Sequence, residues 1–173
     1  TGIERRHFAD EHETTAFMGI EAAQAALDYA DCTIDKVDAI LVATSTADLT
    51  FPSVATMIQN GLGMRHGFAF DVQAVCAGFV YALTVANSMI ASGQNSRILV
   101  IGSETFSKLM DWTDRSTCVL FGDGAGAMLV AAQSNDKSNR GILATTLHSD
   151  GQYKDLLYVD GGVSLQTTGY LRM

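Results

Sequence analysis

The stretch Phe68-Ala69-Phe70-Asp71-Val72-Gln73-Ala74-Val75-Cys76-Ala77-Gly78-Phe79 decides the fold. Residues 68–72 are β-prone and run into a tight passage of small residues. Apolar residues then recur at Phe79, Val80, Leu83, Ala86, Met89 and Ile90, the three-and-four spacing of a buried helix that begins at or near Cys76. Ser92-Gly93 supplies its stop. Cys76 therefore sits where a strand turns into a helix, and there free N–H groups and the helix dipole stabilise a thiolate.

Two readings of Cys76 stand on these residues. One is a small inert core thiol, the common fate of a free cysteine. The other is a nucleophile. Ala74, Ala77 and Gly78 leave room for a substrate to approach the sulfur, and the strand-to-helix turn follows the logic of a nucleophile elbow, although G-x-S-x-G is absent.

The flanking sequence alternates strands and helices. Upstream, Glu13-Thr14-Thr15 caps a helix running to about Ala30, with Ile20, Ala23, Leu27 and Ala30 on one face. Residues 37–44 form a near-continuous apolar run, as in a strand covered on both faces. Phe51-Pro52-Ser53 opens a second helix, with Pro52 in its first turn and Gly61 and Gly63 at its end. Phe51 reads as a hydrophobic staple or as a lid over a pocket.

Downstream, residues 97–103 give a third buried strand, and residues 104–117 a long polar loop of the kind that lines sites. Together these elements predict an α/β layered domain with a mixed or mostly parallel sheet. Phe121-Gly122-Asp123-Gly124-Ala125-Gly126-Ala127 has neither the Lys of a phosphate loop nor dinucleotide spacing. Its glycines are read as permitting close backbone packing beside a site, before a strand over residues 128–132. Residues 141–148 are expected to pair back as a hairpin strand, and 156–159 as a shorter one before a Gly-rich tail.

The chain has 173 residues, 47% of them hydrophobic and 17% charged, enough for one domain with a sizeable core. Its formal charge of −8 argues against holding nucleic acid by the overall field. There is no signal-peptide pattern and no apolar run of membrane-spanning length, so a cytoplasmic location is expected. Cys32, Cys76 and Cys118 are widely separated and suggest reduced thiols, with no disulfide framework or metal site. Arg5 and Arg6 read as surface charges, and His7, His12, His66 and His148 as surface or structural histidines. Thr1 is not a methionine and no stop signal precedes Met173, so the chain reads as a piece of something longer.

These residues together resemble the β-ketoacyl-acyl carrier protein synthase III family, the initiating condensing enzymes of type II fatty acid synthesis. The motifs are Thr1-Gly2-Ile3-x-x-Arg6-His7, Phe51-Pro52-Ser53, Phe70-Asp71-Val72 with Cys76-Ala77-Gly78-Phe79, and Gly102-Ser103-Glu104. Thr113-Asp114-Arg115, the 121–127 glycine segment and His148-x-Asp150-Gly151 follow in the family's order. The resemblance implies a thiolase-like layered αβαβα sandwich, with residues 1–173 as roughly its N-terminal half-domain.

It also implies a chemistry. Cys76 takes an acyl group, usually acetyl, from acyl-coenzyme A, its backbone N–H contributing to an oxyanion hole. The acyl-enzyme then condenses with malonyl-acyl carrier protein as carbon dioxide leaves. Arg115, with Thr1 beside it, corresponds to the coenzyme A entrance. Phe51 corresponds to a residue reaching into the partner's acyl pocket in a homodimer, and Phe106 and Phe121 to acyl-channel positions. No permanently bound cofactor and no metal are implied. The partners implied are acyl carrier protein and a short acyl-CoA, with neither nucleic acid nor membrane.

The family's catalytic histidine and asparagine come from its C-terminal half and have no counterpart here, and its adenine-stacking tryptophan lies before Thr1. Two alternatives stand beside the synthase: a thiolase-fold acyltransferase of secondary metabolism, and a non-catalytic half that binds acyl-CoA or acts as a scaffold.

Overall fold

The computed structural model describes residues 2–133 and 141–173. The first helix, α1 (Thr15–Tyr29), begins where the Thr14 hydroxyl accepts the Phe17 N–H at 3.2 Å. Strand β1 (Ala39–Ala43) follows, with all five residues buried. Helix α2 (Val54–Gly61) is capped by the Ser53 hydroxyl, which accepts the Thr56 N–H. Pro52 thus precedes the cap, because Ser53 is the residue that can satisfy a free N–H there. Strand β2 (Phe68–Val72) leads through a 3-10 turn at Val75–Ala77 into α3 (Gly78–Ala91). Strands β3 (Arg97–Thr105) and β4 (Asp123–Ala131) complete the main sheet, and β5 (Tyr158–Val159) and β6 (Leu171–Arg172) form a separate two-stranded ribbon.

The main sheet has the order β2-β1-β3-β4. β1 is parallel to both β2 and β3, whereas β4 runs antiparallel to β3. Side chains alternate across it with period two. Ile40, Val42, Leu99 and Ile101 pack against α1 and α2, while Leu41, Ile98 and Val100 pack against α3. The result is an α–β–α layering. Each fully buried Ile, Leu or Val contributes about 1.5–3 kcal/mol relative to exposure.

Small residues set the helix distances. A Cβ at Gly19 would fall 2.5 Å from Ile58 Cδ1, so the bare backbone at position 19 lets α1 lie close against Ile58 of α2. On α3, Gly78, Ala82 and Ala86 are the buried residues, bringing the helix close to β1 and β3. Phe79, Leu83, Met89 and Ile90 pack around that stripe, but Val80 is 45% exposed and lies off the buried face.

Other expectations are corrected. Residues 141–148 form no strand, and Leu143 is 77% exposed; the described structure gives that segment no ladder partner. The glycine segment enters β4 at Asp123, so residues 123–127 already belong to the strand, whose pairing with β3 runs from Asp123 to Ala131. β3 continues to Thr105, shortening the expected loop. Ala30 is the exposed C-cap of α1 rather than part of its inner face. The partner of the short strand near residue 158 is Leu171–Arg172, in what reads as a tail. No helix among the described residues is long and apolar enough to cross a membrane.

Candidate active site

β1 and β2 are parallel, so the loops leaving their C-terminal ends emerge on one side of the sheet. The loop after β2 carries Cys76, which is exposed. Ahead of it, Val75 has φ of +46°, a left-handed conformation that crowds a β-branched residue. The strained turn lifts the thiol out of the sheet as the chain reverses into α3. Among the described residues, none of the turn and loop hydrogen bonds engages the Cys76 N–H, whereas the Ala77 N–H is held by Ala74 O at 3.1 Å. Sequence reasoning anticipated the strand-to-helix position but not the strain.

Cys76 lines two adjoining cavities. One, about 520 Å³, is bounded by Ser45, Phe106, Phe121, Leu157, Val159 and Leu171, among others. The other, about 350 Å³, reaches toward the sheet past Phe79, Gly102, Glu104 and Gly124. Phe106 and Phe121 border both, so these two predicted residues are brought together with Cys76. The glycine segment sits beside the site as expected, with Gly122 and Gly124 lining the smaller cavity.

Polar groups brace these walls. Asp123 accepts the Ala9 N–H at 2.8 Å and the Ser107 N–H at 2.7 Å, tying the N-terminal segment to the turn after β3. Arg6, expected as a surface charge, donates to Phe121 O at 2.8 Å and Cys118 O at 2.5 Å, because the backbone carbonyls of that loop face it. The Glu104 carboxylate accepts the Ser45 N–H at 2.8 Å and the Thr46 hydroxyl at 2.5 Å. Burial raises the Glu104 pKa above the ordinary carboxylate range, outweighing the hydrogen bonds that pull it down. The sequence names Glu104 only within a motif. Its role as the tie between β3 and the loop after β1 is a tertiary fact.

The remaining predicted residues lie elsewhere. Arg115 is exposed in the turn that follows Asp111, where Asp114 accepts the Ser116 N–H at 2.9 Å, and it lines neither cavity. Phe51 is 81% exposed, which rules out the staple: its ring does not fold onto α2. Thr1 lies outside the described residues. His66 is structural, its Nε2 2.8 Å from Val37 O. Among the described residues no cluster of His, Cys, Asp or Glu could hold a metal ion.

A family model described as 3-oxoacyl-[acyl-carrier-protein] synthase III matches residues 70–151, the segment from β2 through the Cys76 turn and β4. The β-ketoacyl-[acyl-carrier-protein] synthase III of Ruegeria sp. (strain TM1040) is 71% identical over the whole of this chain. In sequence the chain is thus similar to the synthase III proteins. It spans about half the length of the curated relatives it matches, 54% in the Ruegeria case.

The crystal structure of 3-oxoacyl-[acyl-carrier-protein] synthase III from Aquifex aeolicus VF5 superimposes with a TM-score of 0.91 at 46% identity, covering 100% of this chain and 53% of that one. A priming β-ketosynthase from the R1128 polyketide biosynthetic pathway gives 0.87 at 29% identity, covering 100% and 52%. The α/β layering described above is thus the thiolase-type arrangement of these family members, and the chain supplies about half of it.

Proposed function

We propose that the chain is the nucleophile-bearing, N-terminal half of a condensing enzyme that initiates type II fatty acid synthesis. The observation that carries the reading is the exposed Cys76, raised on a strained turn at the mouth of an aromatic-walled cavity, in a chain similar to these synthases. The Cys76 thiolate attacks the thioester carbonyl of an acyl-CoA, acetyl-CoA foremost. The backbone N–H of Cys76 stabilises the oxyanion. Coenzyme A leaves as its thiolate and takes up a proton, and the acyl group stays on sulfur. Malonyl-acyl carrier protein then loses carbon dioxide, and its enolate carbon attacks the acyl-enzyme, releasing Cys76 and forming a β-ketoacyl-carrier protein.

In this reading Phe106 and Phe121 shape the acyl channel. Arg115, exposed on the surface, receives the nucleotide end of coenzyme A by stacking and phosphate pairing, with Thr1 beside it. Phe51, projecting from the surface, enters the partner's acyl pocket in a homodimer. The chemistry calls for no resident cofactor or metal, and the setting is cytoplasmic. The direct test is release of coenzyme A thiol from acetyl-CoA by the chain and by Cys76→Ser. Release in the parent that disappears in the variant supports the assignment, and equal release in both overturns it.

A further inference from the structure

The β5–β6 ribbon forms one wall of the larger Cys76 cavity through Val159, Gly161, Gly162, Val163 and Leu171. Val159, Gly161, Gly162 and Val163 also border a second open space of about 650 Å³, which continues along residues 166–169. Two open spaces along the same residues leave that part of the ribbon lightly supported. Leu171, 2% exposed, anchors it, while Val163 is 73% exposed.

Arg172, next to that anchor, makes the charged connection. Its Nε donates to Asp160 Oδ2 at 2.8 Å within the ribbon, and its Nη1 donates to Asp111 Oδ2 at 3.1 Å. Asp160 Oδ1 accepts the Tyr170 N–H at 2.6 Å, so both oxygens of this carboxylate are engaged within the ribbon. Asp111 belongs to the turn that leads to Arg115, and its Oδ1 accepts both the Thr113 N–H at 3.0 Å and the Thr113 hydroxyl at 2.6 Å. Among the described residues, Arg172–Asp111 is the ion pair that joins the ribbon to the body of the domain. A guanidinium can address two carboxylates from one rigid plane, which an ammonium cannot do in the same geometry.

We propose that Arg172 is a positioning residue that sets the width of the Cys76 cavity. By fixing the ribbon against the turn at Asp111, it limits the size of the group that fits beside the thiol. That this group is acyl rests on the proposed function. The width itself does not.

The test compares Cys76 labelling by iodoacetamide and by N-(1-pyrenyl)maleimide, with peptide mapping, in the full chain and in Arg172→Gln, Asp111→Asn, the double variant and Arg172→Lys. Each single variant is expected to raise the bulky-to-small labelling ratio about fivefold, the double variant no further, and Arg172→Lys less than Arg172→Gln. Asp111→Asn leaves the Arg172–Asp160 contact intact, so it carries the test alone if Arg172→Gln fails to fold. A ratio within about twofold of the parent in the folded single variants, or additive effects in the double variant, overturns the proposal. An acyl-CoA chain-length series on the same proteins separates the two readings. If no acyl-CoA modifies the parent while the labelling ratio still shifts, the proposed function fails and the positioning role stands.

Discussion

Phe106 and Phe121 stack with ring centroids 5.6 Å apart and planes 17° from parallel, forming a wall common to both spaces that Cys76 lines. The rings come from the turn after β3 and the loop before β4. The strand pairing of β3 with β4 brings these together by joining Thr105 to Asp123. Removing one ring leaves the other without its stacking partner and opens the cavity.

Phe121→Ala is therefore expected to cost stability, by about 2–4 kcal/mol, since the ring is half-buried and part of the site can relax. It should also shift acyl transfer toward longer acyl-CoA substrates. Urea unfolding and a chain-length series check both. Unchanged selectivity would remove Phe121 from the acyl channel.

Val75 adopts φ of +46° and is 48% exposed, so it gives up little burial while straining the backbone. Val75→Gly relieves the strain of about 1–3 kcal/mol, against an added entropy cost of about 0.5–1 kcal/mol. The variant is expected to melt no lower than the parent while alkylation of Cys76 slows, because the turn no longer holds the thiol up. A fall in stability above about 1 kcal/mol would show that Val75 is not strained.

Glu104 gives a prediction in pH. Burial places its folded-state pKa above the ordinary value of 4.5. The folded state therefore favours the protonated form, and the contribution of Glu104 to stability falls as pH rises from that ordinary value through the raised one. Glu104→Gln cannot titrate. The stability of the parent relative to the variant should fall across this window as pH increases, as read from urea midpoints between pH 4 and pH 7. Parallel curves would contradict it.

Much of this was legible in the residues because local signals agreed with tertiary demands. The cap at Thr14, the apolar run that became β1, and the glycine stop at Gly93 fell where predicted, whereas the second helix starts after Ser53 rather than at Pro52. The turn at Cys76 was legible for the same reason: small residues between a β-prone run and a helical period leave few alternatives. The sequence failed where long-range pairing decides. The apolar residues at 141–148 carry strand propensity, yet a strand needs a partner ladder and none is present in the described structure. Leu171–Arg172 has no strand signal of its own and is ordered by pairing with Tyr158–Val159. Phe106 and Phe121 reached the candidate site through family resemblance, and the stacking that unites them is not encoded in either segment alone.

In the proposed function Cys76 accepts an acyl group from coenzyme A. Intact mass before and after incubation with acetyl-CoA, followed by peptide mapping, tests it most directly. One added acetyl group is expected on the peptide containing Cys76, and none in Cys76→Ser. An unmodified parent, or an acetyl group carried on Cys32 or Cys118 instead, would contradict it.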